Sequence, residues 1–281
     1  MPLSASAFSY VSELVRRESA IVLAPGKEYL VEARLLPLAR TVGVADVSEF
    51  VAKQQRQPDR TVQARIVDAL TTNETSWFRD SEPFTAMTST ILPELMRART
   101  TERRLRLWSA ASSSGQEAYS LAMVIGDYLR PQGWRAEILG TDISDEMIAR
   151  AKAGRYSQLE MNRGMPAPLL VRHFQRQGTE WQISAELRAM VDYRKANLAA
   201  PFPPMAPFDV VFLRNVLIYF DTATRRTILQ RVRSVMRPDG YLVLGSAETT
   251  LGIDEEWERV AVGRTSIHRP KSAVPNQRKG V

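Results

Sequence analysis

The stretch LWSAASSSGQEAYSLAM, residues 107–123, decides the fold. It begins as an apolar run typical of a buried strand, continues as a loop of small residues that ends at Gly115, and then has the composition of a helix. A strand that leads directly into a helix is the first half of a strand–helix–strand unit, and repeated units of this kind build parallel sheets. We therefore predict an α/β domain around this stretch.

The same alternation extends along the chain from about residue 91. The predicted strands are LRLWSAA, AEILGTD, FDVVFLRN and GYLVLGS, and the predicted helices are ILPELMRAR, GQEAYSLAMVIGDYLR, SDEMIARAKAGR and TATRRTILQRVRSVM. Short connections between these segments predict a parallel sheet that is covered by helices on both faces. Residues 157–196 break the rhythm, and short strand-like pieces around Gly178 predict a small β insertion there.

Residues 1–72 have a different pattern and predict an N-terminal helical domain. Apolar residues recur at helical spacing in FSYVSELVRRES, and Pro37 is expected to kink or divide the helix that begins at EYLVEARL. Residues 73–90 are assigned to a linker, and residues 91–268 to the α/β domain. The segment 269–281 is basic and contains prolines, so we predict a disordered tail.

Composition excludes several classes of protein. The chain has 281 residues, of which 44% are hydrophobic, and it lacks cysteine, which excludes disulfides, thiolate zinc sites and cysteine nucleophiles. With two histidines, a histidine-based metal site is not expected. Without a secretory signal or a membrane-spanning run, the expected location is the cytoplasm. The net charge of +7 is concentrated near the C-terminus, so neither a nucleic-acid partner nor membrane insertion is predicted.

Three predicted strand ends carry polar residues suited to a ligand, because open α/β sheets bind ligands beyond the carboxyl ends of their strands. Glu117 begins the helix after the small-residue loop, although it is also an ordinary first-turn acid. Asp142 ends the next strand, where an acid can accept ribose hydroxyls or cap the following helix. Arg214, Asn215 and Tyr219 follow the third strand, either as ligand contacts or as a strand-end network.

Together these strand ends favour an adenosine cofactor without a pyrophosphate. The loop has one glycine, Gly115, and lacks the G-x-G-x-x-G pattern of dinucleotide sites. S-adenosylmethionine is the predicted cofactor, and NAD is the second candidate.

These segments resemble the chemotaxis receptor methyltransferases of the CheR type. The stretch NETSWFR, residues 73–79, is similar to that family's N-E-T-x-F-F-R signature, and FDVVFLRNVLIYFD is similar to its third motif. The loop and GTDIS match its cofactor-binding segments, which are generic to nucleoside-binding sheets. The cofactor loop departs from the family pattern, which has two acids and a proline where this chain has Gln116, Glu117 and Ala118.

The resemblance implies a Rossmann-like S-adenosylmethionine-dependent methyltransferase domain, with a small antiparallel β insertion, after an all-α domain. It implies methyl transfer to glutamate carboxylates on the cytoplasmic helices of a methyl-accepting chemoreceptor, giving methyl esters and S-adenosylhomocysteine. The alternatives are a non-catalytic cofactor-binding regulator and a methyltransferase acting on another substrate, such as nucleic acid. No metal is implied, and a monomer is expected.

The resemblance also implies roles for individual residues. The cofactor contacts that it implies are Asn73, Thr75, Arg79, Glu117, Asp142, Asn197, Leu198, Arg214 and Asn215. Tyr219 would lie near the reacting methyl group, and Arg79 would hold a carboxylate through a bidentate contact. Lys27 and Arg34, seven residues apart on a helical domain, would either face an acidic receptor or form a solvated surface.

Overall fold

The computed structural model of the protein describes residues 3–262 and 265–271. The helices are α1 (Ala5–Ser19), α2 (Glu28–Thr41), α3 (Val47–Arg56), α4 (Arg60–Leu70), α5 (Glu82–Ala86), α6 (Leu92–Ala98), α7 (Gln116–Leu129), α8 (Asp145–Ala153), α9 (Gln158–Met161), α10 (Ala167–His173), α11 (Ala185–Arg188) and α12 (Thr222–Ser234). The strands are β1 (Arg104–Ala110), β2 (Arg135–Asp142), β3 (Arg155–Ser157), β4 (Phe174–Gln177), β5 (Glu180–Ile183), β6 (Val191–Lys195), β7 (Phe208–Leu213), β8 (Met236–Leu244), β9 (Trp257–Val262) and β10 (Thr265–Pro270). A π-helical turn (Met87–Ile91) joins α5 to α6, and two 3-10 turns lie at Arg130–Gln132 and Leu217–Tyr219.

The main sheet has seven strands in the order β6-β2-β1-β7-β8-β10-β9. The first five are parallel, and β10 and β9 extend the sheet in the antiparallel sense. The predicted α/β class is confirmed. The order of the strands reverses at β1, so the carboxyl ends of β1, β2 and β7 meet at the switch point where such sheets bind ligands.

Residues on the two faces of β1 enter different hydrophobic cores, which explains why the buried part of the strand is mostly apolar. Leu105 and Leu107 pack in the core that includes α7, whereas Trp108 and Ala110 pack in the core that includes α12. All six residues of β7 are buried in the same way. Helices therefore cover both faces of the sheet, as predicted.

The N-terminal helices α1–α4 pack around a core of their own, which includes Val11, Leu14 and Val15. Asp46 is the N-cap of α3 and accepts a hydrogen bond from the Glu49 backbone N–H. Pro37 does not divide α2, since one helix runs from Glu28 to Thr41.

The boundaries of the β insertion and of the tail differ from the prediction. A separate antiparallel sheet, in the order β3-β5-β4, forms the insertion and begins at Arg155. Residues 191–195, which were assigned to the insertion, instead form β6 and pair in parallel with β2, because Val191 and Tyr193 are buried at the edge of the main sheet. Strand β10 continues to Pro270, inside the predicted tail, and residues 272–281 lie outside the described part of the chain.

The second half of the predicted linker is folded into the main core. Phe84, Met87 and Ile91 are buried there, and α5 and the π-helical turn carry them. The exposed connection is therefore shorter than 73–90. Within residues 3–262 and 265–271, no helix is long and apolar enough to cross a membrane.

Candidate functional site

A cleft opens at the carboxyl ends of β1, β2 and β7, and it encloses about 910 Å³ of empty space, part of which is open to solvent. All ten side chains named by the sequence analysis line it. They are Asn73, Thr75, Arg79, Glu117, Asp142, Asn197, Leu198, Arg214, Asn215 and Tyr219. Because they come from segments up to about 140 residues apart, only the crossovers of the sheet bring them together.

Asp142 lies buried at the end of β2, and its carboxylate is held by the backbone. It accepts hydrogen bonds from Ser113 N (2.8 Å) and Ser144 N (3.0 Å). Burial raises the pKa of Asp142, and these backbone N–H groups oppose that shift. The capping interpretation is wrong, because the Ser144 side chain caps α8 by accepting from Met147 N. Asp142 is therefore free to present its remaining acceptor sites to the cleft.

The small-residue loop after β1 approaches the cleft in an unusual backbone conformation. Ala111 and Ser113 have φ values of 60° and 50°, in the left-handed region. The Ser113 hydroxyl donates to the Asn73 carbonyl at 2.7 Å, so the loop also holds the start of the NETSWFR segment. This bond is the structural link between the two sides of the cleft.

A buried ion-pair network lies beneath the cleft, centred on Arg214, whose side chain is 1% exposed. Its guanidinium donates to Glu117 (3.0 Å), to Asp80 (3.0 Å) and to the Arg79 carbonyl (2.7 Å). Ser109 donates to the other oxygen of Glu117 at 2.7 Å. Burial raises the pKa of Glu117, while Arg214 and Ser109 favour its ionised form.

This network changes the interpretation of Arg214. Three of its contacts are with the protein, so the side chain fixes Glu117 and the backbone at Arg79 in addition to lining the cleft. Its Nε is buried and lacks a hydrogen-bond partner among the described residues. The sequence left two alternatives for Arg214, a strand-end network and a ligand contact. One side chain can have both roles.

The NETSWFR segment is anchored at its aromatic residues. Trp77 is 1% exposed and packs edge-on against Tyr156 and Phe174 of the β insertion, with ring centroids 4.8 and 5.3 Å away. The Trp77 backbone N–H donates to the Arg163 carbonyl at 3.0 Å. Burial of the aromatic ring holds the polar residues of the segment beside the cleft.

Arg79 lies between two residues with left-handed backbone conformations, Phe78 (φ 48°) and Asp80 (φ 53°). Its guanidinium makes a long hydrogen bond of 3.4 Å to the Glu74 carbonyl. Among the described residues, no carboxylate lies within 4.0 Å of it, although it lines the cleft. A cation of this kind, held by a strained turn, is available to bind an anionic group.

The N-terminal domain completes the cleft, which the sequence analysis did not predict. Ser19 and Ile21, at the end of α1, line it. The Asn197 side-chain amide donates to the Glu18 carbonyl at 2.8 Å, and Val22 N donates to the Tyr219 carbonyl at 2.9 Å. No periodic signal in the sequence marks these residues, because the contacts form between domains.

The contacts of Arg34 decide between the two roles that the sequence left open for it. The Arg34 guanidinium donates to the Leu70 and Thr71 carbonyls (3.1 and 3.0 Å), so it caps the end of α4 and does not form an open basic face with Lys27. The described residues hold no group of three or more His, Cys, Asp or Glu side chains arranged to bind a metal ion.

The acidic and apolar groups that line the cleft suit a cationic nucleoside. Asp142 offers acceptors at one end, the Glu117 carboxylate lies beneath the centre, and Leu198 supplies a buried apolar wall. The small-residue loop lacks the G-x-G-x-x-G turn whose backbone approaches a pyrophosphate. These features fit S-adenosylmethionine better than NAD.

Comparison with known proteins agrees with this geometry. Residues 6–71 match the family model described as "CheR methyltransferase, all-alpha domain", and residues 73–266 match "CheR methyltransferase, SAM binding domain". The chain is 36% identical over 269 residues to a Pseudomonas putida protein named chemotaxis protein methyltransferase Cher2, covering 94% of this chain and 98% of that protein.

Two further relatives carry similar names. Chemotaxis protein methyltransferase 1 of Pseudomonas aeruginosa is 38% identical over 94% of this chain and 97% of its own length. The chemotaxis protein methyltransferase of Vibrio parahaemolyticus is 36% identical over 92% of this chain and 95% of its own length. The chain therefore belongs to the CheR methyltransferase family, with an all-α domain followed by a domain that binds S-adenosylmethionine.

Proposed function

We propose that this protein transfers a methyl group from S-adenosylmethionine to glutamate side chains on the cytoplasmic helices of a methyl-accepting chemoreceptor. The observation that carries the proposal is the Arg79 guanidinium, which lines the cleft of a CheR-family methyltransferase and has no carboxylate of the described residues bound to it. The products are a glutamyl methyl ester and S-adenosylhomocysteine. The site of action would be the cytoplasm, with the enzyme as a monomer.

Residues on both sides of the cleft would hold the cofactor. Asp142 would accept the ribose hydroxyls, and Leu198 and Asn197 would flank the adenine. Glu117 and the NETSWFR residues Asn73 and Thr75 would bind the amino-acid part. When bound, S-adenosylmethionine supplies an electrophilic methyl group on a positively charged sulfur.

Arg79 would hold the substrate by charge and geometry. A guanidinium binds a carboxylate through two parallel N–H···O contacts and so fixes its plane. The glutamate is already ionised at neutral pH, and the leaving thioether is neutral, so no proton has to move. A carboxylate oxygen forms the new bond to carbon as the carbon–sulfur bond breaks and its electron pair stays on sulfur. Tyr219 would lie beside the methyl group.

Catalysis would then be mainly positioning, which can supply about 7–11 kcal/mol of such a barrier. The buried Arg214 network supports this role, because it holds the backbone carbonyl of Arg79 in place.

The decisive experiment incubates the protein with methyl-labelled S-adenosylmethionine and a cytoplasmic receptor fragment. We expect label on the fragment that is released as methanol by mild base, as an ester requires. A fragment whose methylated glutamates are replaced by alanine is the control and should remain unlabelled. Tight cofactor binding without labelled receptor would instead identify a non-catalytic regulator, and base-stable label would identify another acceptor.

A further inference from the structure

Glu248 makes an unusual set of contacts at the rim of the cleft. It follows β8 in the sequence GSAETT, and its carboxylate accepts hydrogen bonds from four backbone N–H groups. Oε2 accepts from Asn215 N (2.7 Å) and Gly245 N (2.8 Å), and Oε1 accepts from Val216 N (2.9 Å) and Leu217 N (2.8 Å). One side chain therefore ties the end of β8 to the segment that follows β7.

The segment that Glu248 holds carries cleft residues. Asn215 and Tyr219 line the cleft. The 3-10 turn Leu217–Tyr219 begins at Leu217, whose backbone N–H donates to Glu248. Asn215 has φ 58°, a conformation that non-glycine residues rarely adopt. Successive N–H groups of a turn that starts this way have no partner within the turn. A carboxylate supplied by a neighbouring strand satisfies them and fixes the turn.

The strand end is shaped to admit this carboxylate. A Cβ atom on Gly245 would lie 2.7 Å from Glu248 Oε2 and 2.9 Å from the Asn215 side-chain nitrogen. Such contacts are too close, so glycine is required where the two segments meet. Glu248 also lies near enough to Glu117 for its charge to contribute to the raised pKa of that buried carboxyl group, which burial mainly causes.

We propose that Glu248 is a positioning residue of the methyl-transfer site, which fixes Asn215 for cofactor binding and Tyr219 for turnover. It does not line the cleft, so it would act on the cofactor and the methyl acceptor through the residues that it holds. Charge-assisted hydrogen bonds are individually stronger than neutral ones, and four of them converge here. The turnover part of this inference rests on the proposed function, whereas the cofactor-binding part does not.

The test uses the full chain with Glu248→Gln, which keeps the size of the side chain but replaces one acceptor oxygen with a donor. Two of the four N–H groups then face an NH₂ group. We expect at least about tenfold weaker binding of S-adenosylhomocysteine by calorimetry. Hydrogen exchange of the amides at 215–217 should become faster. Turnover of a receptor fragment, measured at saturating S-adenosylmethionine, should be lower than that of the wild-type protein.

The matched control is Glu255→Gln in the same loop. Glu255 accepts one backbone hydrogen bond, from Gly252 N at 3.1 Å, and does not line the cleft. Binding, exchange at 215–217 and turnover should remain at wild-type values. Glu248→Asp, which keeps the charge on a shorter side chain, should recover part of the affinity that Glu248→Gln loses.

Wild-type affinity and turnover in a folded Glu248→Gln protein would overturn the proposal, and a lower melting temperature as its sole effect would assign Glu248 a structural role. If Glu248→Gln does not fold, Glu248→Asp tests the proposal in its place. The proposal then requires that Glu248→Asp binds S-adenosylhomocysteine more weakly than the wild type and exchanges the amides at 215–217 faster. If the wild-type protein fails to methylate the receptor fragment, the proposed substrate is wrong. The measurement of S-adenosylhomocysteine binding still tests the role of Glu248.

Discussion

At the scale of single residues, the cleft combines side chains of two kinds. Asp142 and Arg214 are buried and hydrogen-bonded to the protein, so their positions are set before any ligand binds. Arg79 is half-buried and has a single long contact to a backbone carbonyl. Preorganised groups contribute to catalysis because they need no rearrangement during the reaction. Arg79 is the residue left available for the methyl acceptor.

We predict that Arg79→Ala lowers methylation of a receptor fragment by about 100-fold or more, since a lost charge-assisted carboxylate contact costs roughly 1.5–3 kcal/mol and alignment is lost with it. Label transfer from S-adenosylmethionine under saturating cofactor measures the effect. Arg172→Ala is the matched control, because Arg172 pairs with Asp127 on the surface and does not line the cleft.

Tyr219 should matter less than Arg79. Its hydroxyl has no hydrogen-bond partner among the described residues, and its backbone carbonyl accepts a hydrogen bond from Val22 of the N-terminal domain. Tyr219→Phe keeps the ring and that carbonyl, so we expect a loss of turnover smaller than that of Arg79→Ala in the same assay. An equal or larger loss would reverse the ranking of the two residues.

At the scale of elements, the NETSWFR segment joins three parts of the molecule. Trp77 is buried in the β insertion, Asn73 contacts the loop after β1, and Arg79 and Asp80 contact Arg214. The short β insertion therefore has a role in holding the cleft, which explains why an otherwise peripheral sheet packs against the main core.

We predict that Trp77→Ala lowers the free energy of unfolding by about 3–5 kcal/mol, the range for truncation of a buried aromatic side chain. Urea denaturation followed by circular dichroism measures it. Trp181→Ala is the control, because that indole lies half-buried on β5 and should cost less. Equal losses would mean that Trp77 is not a special anchor.

The antiparallel strand β10 carries a buried histidine with consequences for pH. Burial lowers the pKa of His268 from 6.5 to about 4, and the charge of Arg259 adds to the shift. Between these values the unfolded chain binds a proton that the folded chain does not, so the free energy of unfolding falls as the pH decreases from about 6.5 to 4. The full loss is about 3 kcal/mol.

The measurement is urea denaturation at pH 7.5 and at pH 5 for the wild-type protein and for His268→Leu, which cannot titrate. We expect the variant to lose less stability on acidification than the wild type does. The carboxylates are common to both proteins, so their contribution cancels. The same pH dependence in both would contradict the assignment to His268.

At the scale of the whole molecule, the N-terminal domain forms one wall of the cleft. The carbonyl of Glu18 at the end of α1 accepts from Asn197, and Arg16 pairs with Asp221 at 3.1 Å. The two contacts differ in their relation to the cleft, because Asn197 lines it, whereas Arg16 does not and its side chain is 67% exposed. Exposed ion pairs contribute little to stability.

We therefore predict that Asn197→Ala weakens S-adenosylhomocysteine binding by about tenfold, because it removes contacts to Glu18 and to the Ala199 backbone beside the cleft. Arg16→Ala, which breaks an exposed contact between the same two domains, should change binding less than threefold. Calorimetry on both variants gives the comparison. A larger effect of Arg16→Ala would mean that the exposed ion pair with Asp221 matters more for binding than the contacts of Asn197.

The sequence alone determined the local features of this protein. Strands β1, β2, β7 and β8 were predicted close to their observed positions, because the buried part of a parallel strand that is covered on both faces is a nearly continuous apolar run. Five of the site residues were identified because they follow predicted strands, where Rossmann-like sheets bind ligands, and these are Glu117, Asp142, Arg214, Asn215 and Tyr219. The other five were named from the family resemblance. The edge strands β6 and β9, and strand β10 beside β9, were not identified. Exposed and charged residues interrupt the apolar pattern of β6 and β9.

Only the tertiary structure decided how the site is held together. The four donors to Glu248, the bond from Arg214 to the Arg79 carbonyl and the contact of Asn197 with α1 join segments far apart in the chain. Backbone N–H and carbonyl groups are present at every residue, so no pattern of side chains marks which of them will accept or donate across the fold. Their partners are set by the crossovers of the sheet and by the packing of the two domains.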